Sequence, residues 1–128
     1  MTLTIRTPPP IADLRLCACC AQEADWMLWT KLVIQWCAFP SWGFYRADGP
    51  PLACGGIQQG ATREAWFVAG PGADQHMLPL IRAFRQILLA DLARTPGTIT
   101  TVARTPEGQR IAQAIGFREH DGQWRIAA

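Results

Sequence analysis

Thr105-Pro106-Glu107-Gly108-Gln109-Arg110-Ile111-Ala112-Gln113-Ala114-Ile115-Gly116-Phe117 is the stretch whose reading decides the fold. Pro106 stands where a first helical turn tolerates proline, and Gly116 stands where a helix ends in a left-handed residue. The segment is therefore a short amphipathic helix that hands directly into a strand at Phe117. Before it, Thr98 to Ala103 is rich in β-branched residues and reads as another strand. Few small folds place a strand, a short helix and a strand in this order after a long helix.

That long helix is expected from about Gln75 to Leu92. Asp74 is the candidate N-cap, Leu78, Ile81, Phe84, Leu88 and Leu92 form the apolar face, and Pro96-Gly97 is the stop. Upstream, Phe44 to Ala47, Leu52 to Ile57 and Arg63 to Ala69 are short apolar runs. Asp48-Gly49-Pro50-Pro51 and Gln58-Gln59-Gly60-Ala61-Thr62 separate them, so they read as an antiparallel meander. Thr2 to Arg6 alternates as a first strand before Pro8-Pro9-Pro10. Ile11 to Phe39 has helical spacing, divided by Gln22-Glu23-Ala24-Asp25 with Asp25 as a possible cap. Asp121-Gly122 turns a final hairpin or bent strand. A strand running parallel to its predecessor after a helix needs a right-handed crossover. The expectation is an α/β (α+β) chain with one mixed, mostly antiparallel sheet flanked by helices, one domain over residues 1–128.

A chain of 128 residues can bury roughly two-thirds of its unfolded surface in one core. The formal net charge of +2, with scattered basic residues, implies no nucleic-acid partner. The most apolar run, Trp26 to Phe39, is broken by Lys31 and Gln35 and is too short for a membrane span. Five cysteines cannot all pair, and no cationic, apolar leader opens the chain. A reduced thiol set in the bacterial cytoplasm is expected. Cys17 and Cys20 have C-x-x-C spacing but no second ligand pair, so they read as small apolar residues and no metal site is assigned. Cys54 has no His–carboxylate relay in sequence. Four of the six tryptophans lie between Trp26 and Trp42. They mark either an unusually aromatic core or a surface for a protein partner or self-association.

The order of elements, ending in Ile115-Gly116-Phe117, resembles the GNAT family of acetyl-coenzyme A-dependent N-acetyltransferases. Pro51-Leu52-Ala53-Cys54-Gly55-Gly56, Trp66-Phe67-Val68, Ala114-Ile115-Gly116 and Asp121-Gly122-Gln123 resemble, more narrowly, the GNAT-like internal virion proteins of short-tailed phages. The family resemblance implies acetyl-coenzyme A bound along Val68, Gly70, Gly72, Ala73 and Asp74, with Glu64 as the base. The family's phosphate loop would fall on residues 69–76, where Pro71 lacks an N–H, no basic residue stands, and Asp74 adds negative charge. The family's frequent tyrosine and asparagine would fall at Ala112 and Thr105. His76 and His120 could serve as bases but read as surface residues, and the sole tyrosine, Tyr45, reads as a half-buried strand residue.

Two readings follow. One is a phage-type GNAT-like protein with degenerate catalytic apparatus, located in the bacterial host cytoplasm or the virion and acting through a protein partner. The other is an active acetyl-coenzyme A-dependent N-acetyltransferase acting on a primary amine. The absent catalytic groups favour the first.

Overall fold

The computed structural model describes residues 3–20, 26–47 and 49–127; the side chains of Cys20 and of residues 26–28 are outside the description. The expected Asp25 cap, the dividing residues 22–25 and Asp48 of the first meander turn lie outside the described residues. The strands are β1 (Leu3–Arg6), β2 (Ser41–Arg46), β3 (Pro51–Gln58), β4 (Arg63–Ala69), β5 (Thr98–Thr101), β6 (Arg118–His120) and β7 (Gln123–Ala127). The helices are α1 (Ile11–Cys20), α2 (Trp26–Ala38), α3 (Met77–Arg94) and α4 (Pro106–Ile115), with a single 3-10 turn (Ala73–His76) leading into α3. The strands form one sheet in the order β1-β2-β3-β4-β5-β7-β6. Among the described residues only β4 and β5 pair in parallel, so the expected mixed sheet is present.

Each face of the sheet carries its own core. Under α3 and α4, Phe44, Ile57, Leu80, Phe84, Leu88, Ile99, Ile115 and Phe117 are fully or almost fully buried. On the opposite face, Leu14 and Cys17 of α1 and Leu32 of α2 pack on Cys54 and Val68, with Trp29, Trp36 and Trp66 half-buried around them. Trp36 donates its indole N–H to the Pro9 carbonyl at 2.7 Å, and Trp42 packs on the first core. The described tryptophans between 29 and 42 therefore contribute to cores, while Ile34 of α2 is 58% exposed.

The long helix differs from expectation in two ways. Asp74 lies inside the 3-10 turn and caps nothing; the N-cap of α3 is His76, without a side-chain hydrogen bond. The buried face runs Leu80, Phe84, Leu88, Asp91, Leu92, whereas Leu78 is 58% exposed. The extra 3-10 turn delays the start of α3, and the four-residue spacing counted back from Leu88 and Phe84 meets Leu80. α4 matches the sequence closely: Thr105 caps it by accepting the Gly108 N–H at 3.0 Å, and Gly116 closes it at φ 126°.

Two buried polar groups hold the layers. Arg63 Nη1 on β4 donates to Asp91 Oδ2 on α3 at 2.8 Å, and both side chains are less than 10% exposed. Arg94 and Gln59 complete the carboxylate at 3.1 and 3.4 Å. On the other face, the Tyr45 hydroxyl donates to Asp13 of α1 at 2.5 Å, and the Arg6 guanidinium lies 4.7 Å from the ring centroid. Tyr45 is only 2% exposed, more buried than its strand position suggested.

Removing one partner of a buried ion pair leaves an uncompensated charge and costs about 3–5 kcal/mol. Asp91→Ala is accordingly expected to destabilise the fold by about that amount in urea unfolding, and Arg63→Met with Asp91→Leu to recover most of the loss. Burial, then the hydrogen bond to Asp13, pushes the Tyr45 ionisation above its ordinary range. The folded state keeps a proton that the unfolded chain releases, so this stabilisation is complete below pH ~10 and is lost as pH rises beyond it. Tyr45→Phe should flatten the stability decline between about pH 10 and 11 in urea titrations.

Candidate functional site

The register between β4 and β5 makes the site. Their parallel pairing covers only Arg63 with Ile99 and Glu64 with Thr100. Two β5 hydroxyls carry the contact slightly further: Thr100 Oγ1 donates to the Arg63 carbonyl at 3.1 Å, and Thr101 Oγ1 to the Ala65 carbonyl at 2.9 Å. Beyond Ala65 the strands part. β4 remains paired with β3 along its length, so the sheet opens as a cleft between β4 and β5.

Strand alternation settles what faces the cleft. The carbonyls of Arg63 and Ala65 point toward β5, whereas the Gly70 N–H points to β3, donating to the Leu52 carbonyl at 2.8 Å. By the period of two, the backbone N–H and C=O of Phe67 and Ala69 also point toward β5, where no strand meets them. They form a short unpaired edge inside the sheet, which an extended amide-bearing chain can complete. Sequence reading missed these two residues because backbone polarity leaves no trace in side-chain pattern. Val68, which it selected, is 9% exposed and packs its side chain against α1.

At the head of the cleft the chain turns into α3. A Cβ on Gly70 would lie 2.8 Å from the Pro51 carbonyl and 2.9 Å from Cys17 Sγ, so this glycine is required for α1 and β3 to close beneath the turn. Gly72 adopts φ 80°, a conformation that L side chains rarely reach. Ala73 is buried and its N–H bonds the Gly70 carbonyl at 3.3 Å; Asp74 is exposed. The amino end of α3, with no capping side chain, thus stands at the mouth of the cleft and offers its positive dipole end. Cys17 and Cys54 lie buried beneath it, and their mutual contact and burial hold Cys54 protonated.

Glu64 and Arg63 are neighbours in sequence but take opposite faces. Arg63 turns to Asp91, while Glu64 turns to the α2 face and meets Lys31 at 3.4 Å. The Glu64 side chain is 33% exposed. It lines a cavity of about 510 Å³ together with Thr100, Thr101, Arg104, Asp121 and Trp124. Thr105 is occupied as a helix cap and Ala112 lies on the buried face of α4, packed in the core, so neither enters the cleft. His76 is half-buried at the start of α3, and His120 is exposed on β6. No group of three or more His, Cys, Asp or Glu capable of holding a metal occurs among the described residues, and none of the described helices is long and apolar enough to cross a membrane.

No protein-family model matches the chain, and no curated protein matches it in sequence. Solved structures match it in fold. An IAA acetyltransferase from Bacillus cereus superposes with a TM-score of 0.66 at 10% identity, covering 98% of this chain and 98% of that one. A GNAT-family acetyltransferase from Brucella melitensis in complex with acetyl-CoA gives 0.62 at 11% identity, covering 98% and 88%. A mutant AtaT toxin bound to the C-terminus of the antitoxin AtaR and acetyl-CoA gives 0.57 at 17% identity, covering 99% and 94%. The chain has the GNAT fold.

Proposed function

We propose that this protein binds acetyl-coenzyme A in the β4–β5 cleft and transfers the acetyl group to a primary amine. The observation that carries the reading is the unpaired backbone of Phe67 and Ala69 on the cleft side of β4. It fits a ligand arm that carries amides. The turn at Gly70, Gly72, Ala73 and Asp74 and the first turn of α3 would receive the pyrophosphate through backbone N–H groups and the helix dipole. Pro71 and Asp74 make that end weaker than the arm. Acetyl-coenzyme A bound there supplies a thioester whose carbonyl carbon is open to attack by an amine.

Glu64 is then the base. It stands on the strand that borders the cleft, faces the cavity of about 510 Å³, and among the described residues its side chain is held only by a long, partly solvated contact to Lys31. An incoming ammonium can replace Lys31 beside the carboxylate, and Glu64, directly or through water, takes the proton that the attacking amine must lose. No tyrosine stands ready to protonate the leaving sulfur. An ordinary thiol ionises near pH ~8.5, so a thiolate can depart without an acid at a modest loss of rate.

A second reading keeps the fold and gives up the chemistry: a phage-type, virion-associated or host-binding protein. Ala112 and Thr105 in place of the catalytic tyrosine and asparagine support it, as do the exposed Ile34 and Leu16, at 58% and 40%, on α2 and α1. In that reading the region from Trp26 to Trp42 carries the partner or a second copy. Either role belongs in a bacterial host cytoplasm.

The two readings separate in calorimetry. Wild-type protein should bind acetyl-coenzyme A with a micromolar Kd, and Glu64→Gln should bind it equally while losing turnover by ~10²-fold or more. Absence of binding at millimolar cofactor would leave the second reading. In that case Ile34→Glu should alter oligomeric state or partner recovery by size-exclusion light scattering, with thermal stability unchanged.

A further inference from the structure

We propose that the acceptor is a small zwitterion: an α-amino acid with an apolar side chain, its ammonium at Glu64 and its carboxylate at Arg104. The inference rests on the acetyl-transfer reading and concerns the cavity beside Glu64.

The walls of that cavity are chemically divided. At one end, Glu64 pairs in register with Thr100 across β4 and β5. The hydroxyl hydrogens of Thr100 and Thr101 are already committed to the Arg63 and Ala65 carbonyls. Toward a ligand the Thr100 side chain can therefore only accept, as Glu64 does, while Thr101, next along the strand, faces the opposite side of the sheet. Glu64 and Thr100, which share one face of the sheet, offer acceptors to an ammonium, and Lys31 already stands as a cation beside the carboxylate.

Arg104 follows β5 on the same cavity wall. It is exposed and has no ion pair or hydrogen bond among the described residues. A guanidinium without an ion pair among the described residues, lining the same cavity as Glu64, selects a planar anion, which it can hold through two parallel N–H donors. It also disfavours a second ammonium, which argues against a polyamine despite the additional carboxylate of Asp121. That carboxylate is 93% exposed and faces His120 at 3.6 Å, so solvent screens it. Val102, two residues after Thr100 and 60% exposed, adds apolar surface to the same cavity for a hydrocarbon side chain. A volume of about 510 Å³ admits an amino acid.

The test is calorimetric titration of cofactor-free protein with a matched pair, L-phenylalanine and phenethylamine, which differ only by the carboxylate. Phenylalanine is expected to bind at least ~10-fold more tightly. Arg104→Ala should abolish that preference, and Arg104→Lys should restore part of it, with acetyl-coenzyme A affinity unchanged in both variants. Equal binding of the two ligands, binding of neither, or a preference that survives Arg104→Ala would overturn the assignment. Because the titration omits the cofactor, its result is independent of whether acetyl-coenzyme A binds. A protein that binds the cofactor but fails the matched pair loses only the acceptor assignment. One that shows the carboxylate preference but no cofactor binding keeps the assignment as a ligand site and loses the transferase reading.

Discussion

The buried ion pair between Arg63 and Asp91 fixes the geometry on which the rest of the molecule depends. It joins the first residue of β4 to the last turns of α3, at the same place where β4 and β5 make their short parallel contact. One end of the β4–β5 junction is thereby pinned while the other is free to open. Such a pair gives little net stability against an apolar alternative, because two charges must leave water. What it supplies is location. With Arg94 and Gln59 on the same carboxylate, α3 is held at its carboxyl end, and its amino end is set over the mouth of the cleft.

The same arginine sets the parity of β4. If Arg63 must face α3, alternation places Glu64 on the α2 face, and it places the backbone of Phe67 and Ala69 toward the gap. A one-residue slip would bury Glu64 under α3, present Arg63 to the cavity, and turn the free backbone edge toward β3. The proposed base, the cavity beside it and the unpaired edge of β4 are thus three results of one register. The packing of Phe84 against Phe67 at 5.4 Å between centroids, and against Phe44 at 6.3 Å, secures that register from the α3 side.

Local signals in the chain were legible where a residue's role is set by its own backbone. Gly116, Pro106 and Thr98 marked α4 and β5 correctly, and the meander appeared with β4 at its observed bounds. Asp74 misled because aspartate before a helix is ordinarily a cap, whereas a 3-10 turn intervenes and shifts the buried face from Leu78 to Leu80. Asp91 gave no sequence signal at all: its partner lies 28 residues away on a strand. The cleft was legible only as an order of elements. Its chemical content resides in carbonyls and amides that every residue carries, and only a register shows which of them are left unpaired. Arg104, likewise, is an ordinary charge until the fold brings it to the same cavity as Glu64.

The absence of a tyrosine at position 112 is better understood from packing than from loss. Ala112 is 5% exposed within the core that contains Ile115 and Phe117, and its carbonyl accepts the N–H groups of both Gly116 and Phe117. A bulky phenol there would have to displace the helix from the sheet, because close-packed interiors do not absorb a ring without strain. The short, tightly docked α4 therefore excludes an acid from this position for reasons of shape. The proposed transfer would then ask less of the protein: a base for the amine, a dipole for the anionic end of the cofactor, and a leaving sulfur acidic enough to depart as an anion.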